Sequence, residues 1–264
     1  MTDSLVRSRA RKYVPAVGLF VGGIALWEIL TRLFEVETFI LPRPSQIVDR
    51  LIAEWPEISH AATNTVIEVA GGLVAGLTFG VLVALVAVRW DAAREGIMPF
   101  AIATNATPII ALAPIANNMF PVTSPVSKMT VVGIVVFFPV MINTVRGLTE
   151  VEAGEMELMR SYAATQREIF RMVRIPRALP YFFSALKVAA TLSIIAAIVA
   201  EYFGGPQDVL GQYIIAKANL FVFADAWAAI LVASALGIAL YGLIILIERF
   251  AMSWHVSYRS IEAN

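Results

Sequence analysis

Six long apolar runs, at roughly 13–33, 61–88, 97–116, 126–145, 181–203 and 226–247, dominate the sequence. Each has the ~20 residues an α-helix needs to cross the hydrocarbon core of a bilayer, where only helices and closed barrels satisfy their own backbone. A soluble chain is about 45–50% apolar and about 25% charged. Here the figures are 59% and 15% over 264 residues, too apolar for one globular core to hide. The reading is an all-α, polytopic integral membrane protein with six transmembrane helices in one domain, 1–264. The first run is longer than a signal-peptide core and no small-residue cleavage site follows it, so it is expected to stay as an anchor.

Charge placement then sets the orientation. An even number of crossings leaves both termini on one side, and fourteen of the 20 lysines and arginines fall on that side's tails and loops, against five on the other. Both termini are therefore expected in the cytoplasm, with tails at 1–12 and 248–264, a core at 13–247 and a long cytoplasmic loop at 146–180. Zero net charge argues against nucleic acid as a partner. The absence of cysteine excludes disulfides and thiolate metal sites.

Within the spans, Gly72, Gly76 and Gly80 recur every four residues and form a stripe that lets another backbone approach closely. Pro108, Pro114 and Pro139 remove backbone donors, so the third and fourth spans are expected to bend or break there. Beyond the first span, Ile47, Val48, Leu51, Ile52 and Trp55 share one face of a short amphipathic helix introduced by Pro42 and Pro44. It reads either as a lid on the bundle or as part of a docking surface.

The loop at 146–180 holds six arginines and five glutamates and is far longer than most helix connections. Met159, Tyr162 and Ala163, then Ile169, Phe170 and Val173, form apolar stripes on two short helices. Thr165 and Glu168 have capping-box spacing, so a helix starts there and the chain turns near Ala163 and Ala164. Pro176 and Pro180 are expected to end that helix before the fifth span. An apolar stripe on a solvated helix needs another protein to cover it, unless the loop packs on its own bundle.

The run Glu157, Leu158, Met159, Arg160, Ser161, Tyr162, Ala163, Ala164, Thr165, followed by Ile169, Phe170, Arg174, Ile175 and Pro176, resembles the EAA loop of ABC-transporter permeases. Leu41, Pro42, Pro44 and Val48, and the stretch 178–201, are similar to importer permeases for nitrate, sulfonates, taurine and pyrimidine-type vitamins or their precursors. The resemblance covers roughly 40–211. It implies a permease subunit whose loop, through Glu157, Met159, Arg160, Tyr162, Ala163, Ala164, Thr165 and Pro176, forms a coupling helix docked on a separate ABC ATPase. It further implies two ATPase copies that bind ATP and Mg, no cofactor in this chain, and a permease homodimer. An extracytoplasmic substrate-binding protein and a bacterial plasma (inner) membrane complete the implied setting. Ser161 to Ala164 and Pro180 to Phe183 resemble the vitamin branch, for riboflavin or a thiamine pyrimidine precursor, more than the sulfonate, taurine or nitrate branch. The pattern departs at Leu158 and Met159, where alanines are usual, and at Ala163, where glycine is usual. Alanine costs about 1 kcal/mol where a turn needs positive φ, so this turn is expected to be right-handed or slightly strained.

With no Gly-Lys pair the chain has no P-loop, and no nucleophile, base and orienting group stand together. It is read as a transport subunit, not an enzyme. Ionisable residues inside spans are costly, so each asks for a partner or a role. Glu28 has Arg32 one turn on, and Lys187 is expected to snorkel toward the inner interface. Glu201, roughly 30 Å along its helix from Tyr181, reaches the outer boundary. Glu68 has no oppositely charged sequence neighbour; it pairs with another helix or lines the solute path. Glu68, Asn105, Asn143 and Glu201 make up the candidate polar lining, although asparagine also bridges helices in ordinary packing. The alternative class, an ATPase-independent channel or secondary transporter, would concentrate charge along its spans, and here such charge is sparse.

Overall fold

A computed structural model describes residues 2–105, 108–121 and 124–252, with side chains from Val14 onward except at 91–94, 105, 109 and 110. Among the described residues the chain is helical, with no strand. The helices are α1 (Thr2–Leu33), α2 (Pro44–Ala53), α3 (Trp55–Arg89), α4 (Asp91–Asn105), α5 (Ile109–Met119) and α6 (Pro125–Thr149). They continue with α7 (Ala153–Ser161), α8 (Gln166–Tyr202), α9 (Leu210–Asn219) and α10 (Phe223–Ala251). Five segments are long and apolar enough to cross a membrane: Val14–Leu33 of α1, and α3, α6, α8 and α10.

The expected third span, 97–116, is broken near Pro108, one of the three prolines at which a bend or break was expected. Pro108 sits in an extended conformation (φ −62°, ψ 122°) and divides it into α4 and α5, of 15 and 11 residues. Neither piece alone has the ~20 residues of a crossing. Pro114 and Pro139 stay inside α5 and α6. An expectation is corrected at Pro176 and Pro180, which do not stop the helix. A wide turn at Phe170–Arg174, where Ile175 N–H donates to the Phe170 carbonyl five residues back, carries α8 through both prolines. The widened ladder gives the Pro176 ring room where a regular turn would clash with the carbonyl four residues earlier.

The chain forms two compact units. The first comprises 1–59 and 213–232. Its α1 span is largely uncovered, with Leu19 82% and Phe20 69% exposed. The expected Glu28–Arg32 pair forms at 2.6 Å, and Glu28 also accepts from Ser45 N and Oγ at 3.0 and 2.9 Å, tying α1 to the start of α2. The amphipathic α2 buries Ile47 but leaves Val48 and Ile52 exposed. Arg50 donates to both oxygens of buried Asp225 (2.5 and 3.0 Å) and to Glu54 (2.8 Å). Lys217 approaches Asp225 at 3.1 Å and Glu54 at 3.3 Å, giving two cations and two carboxylates in a neutral set. Hydrogen bonding to Asp225 holds the Arg50 guanidinium more firmly protonated than usual. Burial pushes the neighbouring Tyr213 phenol up to about 12. Trp27 meets Trp227 edge to face with centroids 5.6 Å apart.

The second unit comprises 60–212 and 233–264. Its seam is the glycine stripe of α3. A Cβ on Gly72 would lie 2.5 Å from Val132 Cβ, one on Gly76 2.6 Å from the Gly133 carbonyl, and one on Gly80 3.0 Å from the Phe137 carbonyl. The stripe therefore brings α3 and α6 to backbone contact, as expected. On α6, Val131, Val132, Val136 and Val140 are fully buried and pack with Ala189, Ala196, Ala197 and Ala200 of α8. Lys187 pairs with Glu248, near the end of α10, at 3.0 Å, so the cation within the span has a carboxylate partner.

Candidate functional site

The polar loop after α6 folds as a helical hairpin. The nine-residue α7 ends in a Schellman motif, in which Ala164 N–H donates to the Met159 carbonyl (3.0 Å) and Ala163 N–H to that of Arg160 (2.9 Å). Ala163 takes φ 53°, so of the two expectations, a right-handed turn or a slightly strained one, the turn is the strained, left-handed one. The motif needs one left-handed residue after the C-cap, and the two hydrogen bonds hold alanine there against its steric cost. The chain then restarts at Thr165 through a reciprocal cap. Thr165 N and Oγ1 each donate to Glu168 Oε2 at 2.7 Å, and Glu168 N donates back to Thr165 Oγ1 at 3.3 Å.

Charge holds the two arms together. Arg177 on α8 forks onto Glu155 of α7 with contacts of 2.6 to 3.0 Å and reaches Glu152 at 2.9 Å. Tyr181 Oη donates to Glu150 at 2.7 Å, and Arg146 lies 3.6 Å from the same carboxylate. Such a fork fixes orientation as well as distance, so α7 is held in a defined place on α8.

The apolar stripes divide between inside and outside. Ile169 is buried, and Met159, Phe170 and Val173 are half-buried. Leu158, Tyr162 and Met172 are 56%, 77% and 67% exposed. Glu157, Arg160, Ala163 and Thr165 are exposed, while Ala164 and Pro176 are half-buried. The eight residues named from the sequence thus gather on one hairpin. Its brace was missed: Arg177, Glu155 and the Glu150–Tyr181 pair are 22 and 31 residues apart, and their only sequence signal is that unlike charges share one loop.

The candidate polar lining does not gather in one place. Glu68 and Glu201 are buried at 2% and 0% exposure, close enough to Lys128, itself fully buried, for the three charges to act on one another. Glu201 Oε2 accepts from Gly211 N at 2.6 Å, and Gln212 Nε2 donates to the Glu201 carbonyl at 2.6 Å. Lys128 is the cation nearest in influence to Glu68, from a different helix, and Glu201 is the neighbouring carboxylate. Asn143 Nδ2 donates to the Pro139 carbonyl at 2.8 Å. The same residue borders a cleft of about 490 Å³ with Thr104, Pro108, Phe138 and Leu192. The side chain of Asn105 lies outside the described residues. A further asparagine, Asn117, donates to the carbonyls of Ala200 (2.9 Å) and Gly204 (3.2 Å) and ties α5 to the end of α8.

Membrane-length helices, a glycine-welded core and a braced helical hairpin define a polytopic membrane subunit. Residues 76–253 match the binding-protein-dependent transport system inner membrane component family, and the chain belongs to that family. It is 31% identical to the formylaminopyrimidine transport permease protein ThiX of Halalkalibacterium halodurans, over 88% of this chain and 92% of that one. It is 28% identical to the riboflavin transport system permease protein RibX of Chloroflexus aurantiacus, over 96% and 95%. A chain from a crystal structure of an amino acid ABC transporter with histidines superposes with a TM-score of 0.62 at 16% identity, covering 75% of this chain and 95% of that one, so the permease fold is shared. The protein is an ABC-type permease of the inner membrane, and relatives of this kind are transport subunits, not enzymes.

Proposed function

We propose that this chain is the membrane path of an ATP-driven importer that takes up a small polar nutrient, with the hairpin of α7 and the start of α8 as its point of attachment to a separate ATPase. One observation carries the proposal: Leu158 and Tyr162 stand exposed on an arm that Arg177 holds to a membrane-length helix, whose own first turns expose Met172. Exposed apolar side chains on a charged loop mark a protein contact, and a braced arm passes the movement of that protein on to the span.

In this reading α4 and α5 together make the sixth crossing, broken at Pro108, and the arginine-rich side is cytoplasmic with both termini. Two permease copies form the path, and two ATPase copies bind ATP and Mg and drive it. A binding protein outside the membrane delivers the solute. The solute class follows the relatives named for formylaminopyrimidine and riboflavin transport: a vitamin or its pyrimidine precursor.

Copurification with the ATPase encoded beside it tests the attachment. Glu157→Lys reverses an exposed charge on α7 and is expected to lower solute-stimulated ATP hydrolysis at least tenfold, about the effect of losing one charged interfacial contact. Unchanged hydrolysis in that variant overturns the attachment. Calorimetry of the cognate binding protein against riboflavin, pyrimidines, sulfonates and nitrate reads the solute, and a response confined to sulfonate or nitrate overturns the vitamin assignment.

A further inference from the structure

A cleft of about 760 Å³ opens where the end of α3, the end of α6 and the first turns of α8 meet. Arg89, Arg167 and Arg174 line it, and among the described residues no carboxylate does. The loop's acids are engaged elsewhere: Glu150 on Tyr181 and Arg146, Glu152 and Glu155 on Arg177, and Glu168 on Thr165. Among the described residues none of the three lining arginines is in an ion pair. Three guanidinium groups around an apolar wall of Leu85, Val88 and Phe170 concentrate positive potential at this open cleft. Their planar forks match phosphate oxygens.

We propose that this cleft binds a phosphate-bearing anion, the headgroup of an anionic membrane lipid. The membrane source is favoured by the helix that carries Arg89. Leu82, Leu85 and Val86 lie on the preceding turns of α3 at 52%, 40% and 50% exposure, a surface for acyl chains that leads to the arginine. Trp90, 59% exposed, follows at the position of an interfacial tryptophan. A soluble anion would need the arginines and have no use for that apolar approach. Basic clefts at the cytoplasmic ends of membrane helices suit acidic headgroups, and such contacts are weakened by salt. The site rests on the orientation proposed above, in which this end of α3 is cytoplasmic.

Native mass spectrometry of the purified full chain, with phosphatidylglycerol, phosphatidylcholine or inorganic phosphate added separately, tests it. The wild-type chain is expected to retain phosphatidylglycerol in preference to phosphatidylcholine. Each of Arg89→Gln, Arg167→Gln and Arg174→Gln is expected to weaken retention about fivefold, and the triple variant to abolish the preference. Arg171→Gln, exposed on the same helix but outside the cleft, is expected to leave it unchanged. If the triple variant fails to fold, the three single variants decide. Equal retention of both lipids by wild type, displacement of lipid by millimolar inorganic phosphate, or equal losses in Arg171→Gln and the cleft variants would overturn the lipid site. Loss of ATPase copurification in the cleft variants with lipid retention intact would assign the arginines to protein docking and overturn it too. Failure of ATPase copurification in wild type, with lipid preference present, sinks only the coupling reading.

Discussion

The seam between α3 and α6 and the hairpin of α7 on α8 use opposite means to bring helices together. At the seam there is no side chain to speak of: Gly72 and Gly76 leave so little space that Met129 and Gly133 of α6 meet the α3 backbone directly. Surrounded by lipid, apolar side chains gain little by hiding, so the contact is made by dispersion between closely approaching backbones. The hairpin instead joins its arms by Arg177, Glu152 and Glu155, and leaves Leu158, Tyr162 and Met172 uncovered. In water that exposure is unfavourable, whereas the same side chains facing lipid would cost nothing. The seam is complete within one chain; the hairpin leaves apolar side chains for the partner proposed above to cover.

The largest way to break the seam region is to remove the ammonium from its charged neighbour. Lys128→Met leaves Glu68 and Glu201 buried together without a cation, and is expected to cost about 3–5 kcal/mol. The fall in unfolding midpoint of the detergent-purified chain reads this directly; a midpoint within a degree of wild type would mean that the two carboxylates do not depend on Lys128. Next comes the seam itself. Gly76→Val places a branched side chain where even a Cβ is 2.6 Å from the Gly133 carbonyl, with an overpacking cost of about 1–3 kcal/mol. Gly18→Val, at a glycine with nothing within 4 Å, is the contrast and is expected to be silent.

At the hairpin the expected effects move from stability to function. Arg177→Lys keeps the charge but loses the fork that reaches two glutamates at once. Solute-stimulated ATP hydrolysis is expected to fall while the unfolding midpoint stays near wild type. A fall in midpoint with coupling intact would show that the brace holds up the fold and transmits nothing.

What could be read in the sequence follows the range of each interaction. The glycine stripe, the Glu28–Arg32 pair and the Thr165–Glu168 cap are separated by three or four residues, and each forms as its spacing requires. Long apolar runs likewise announced five of the membrane-length helices. The failures share another cause. Pro180 was expected to end a helix and is absorbed inside one, as Pro114 and Pro139 are, whereas the chain breaks at Pro108 as expected, because what a proline does depends on whether the adjoining turn widens or is supported by neighbours. The Lys187–Glu248 pair was not read from the sequence because its two residues are 61 positions apart. The Arg177 brace joins residues across the turn, and no period in the sequence records that contact.

The smallest expected effect sharpens the comparison at its least certain residue from sequence, Ala163. Three helix ends take the left-handed conformation without glycine: Glu35 after α1, Ala163 after α7 and Phe221 after α9, at φ 47°, 53° and 59°. Each is held by a hydrogen bond from the residue after it to a carbonyl five back, Val36 to Thr31, Ala164 to Met159 and Val222 to Lys217. Ala163→Gly relieves about 1–2 kcal/mol of left-handed strain, and the added freedom of the unfolded chain takes back about 0.4–1 kcal/mol. The net gain is roughly 0.5–1 kcal/mol, local to α7. Hydrogen exchange at the Ala163 and Ala164 amides should therefore slow a few-fold, while amides along α3 and α6 stay as they are. Ala163→Val should quicken exchange at the same amides, since a branched side chain tolerates that φ least. Faster exchange in the glycine variant would mean that the turn owes its hand to packing against α8 and not to the two hydrogen bonds that close α7.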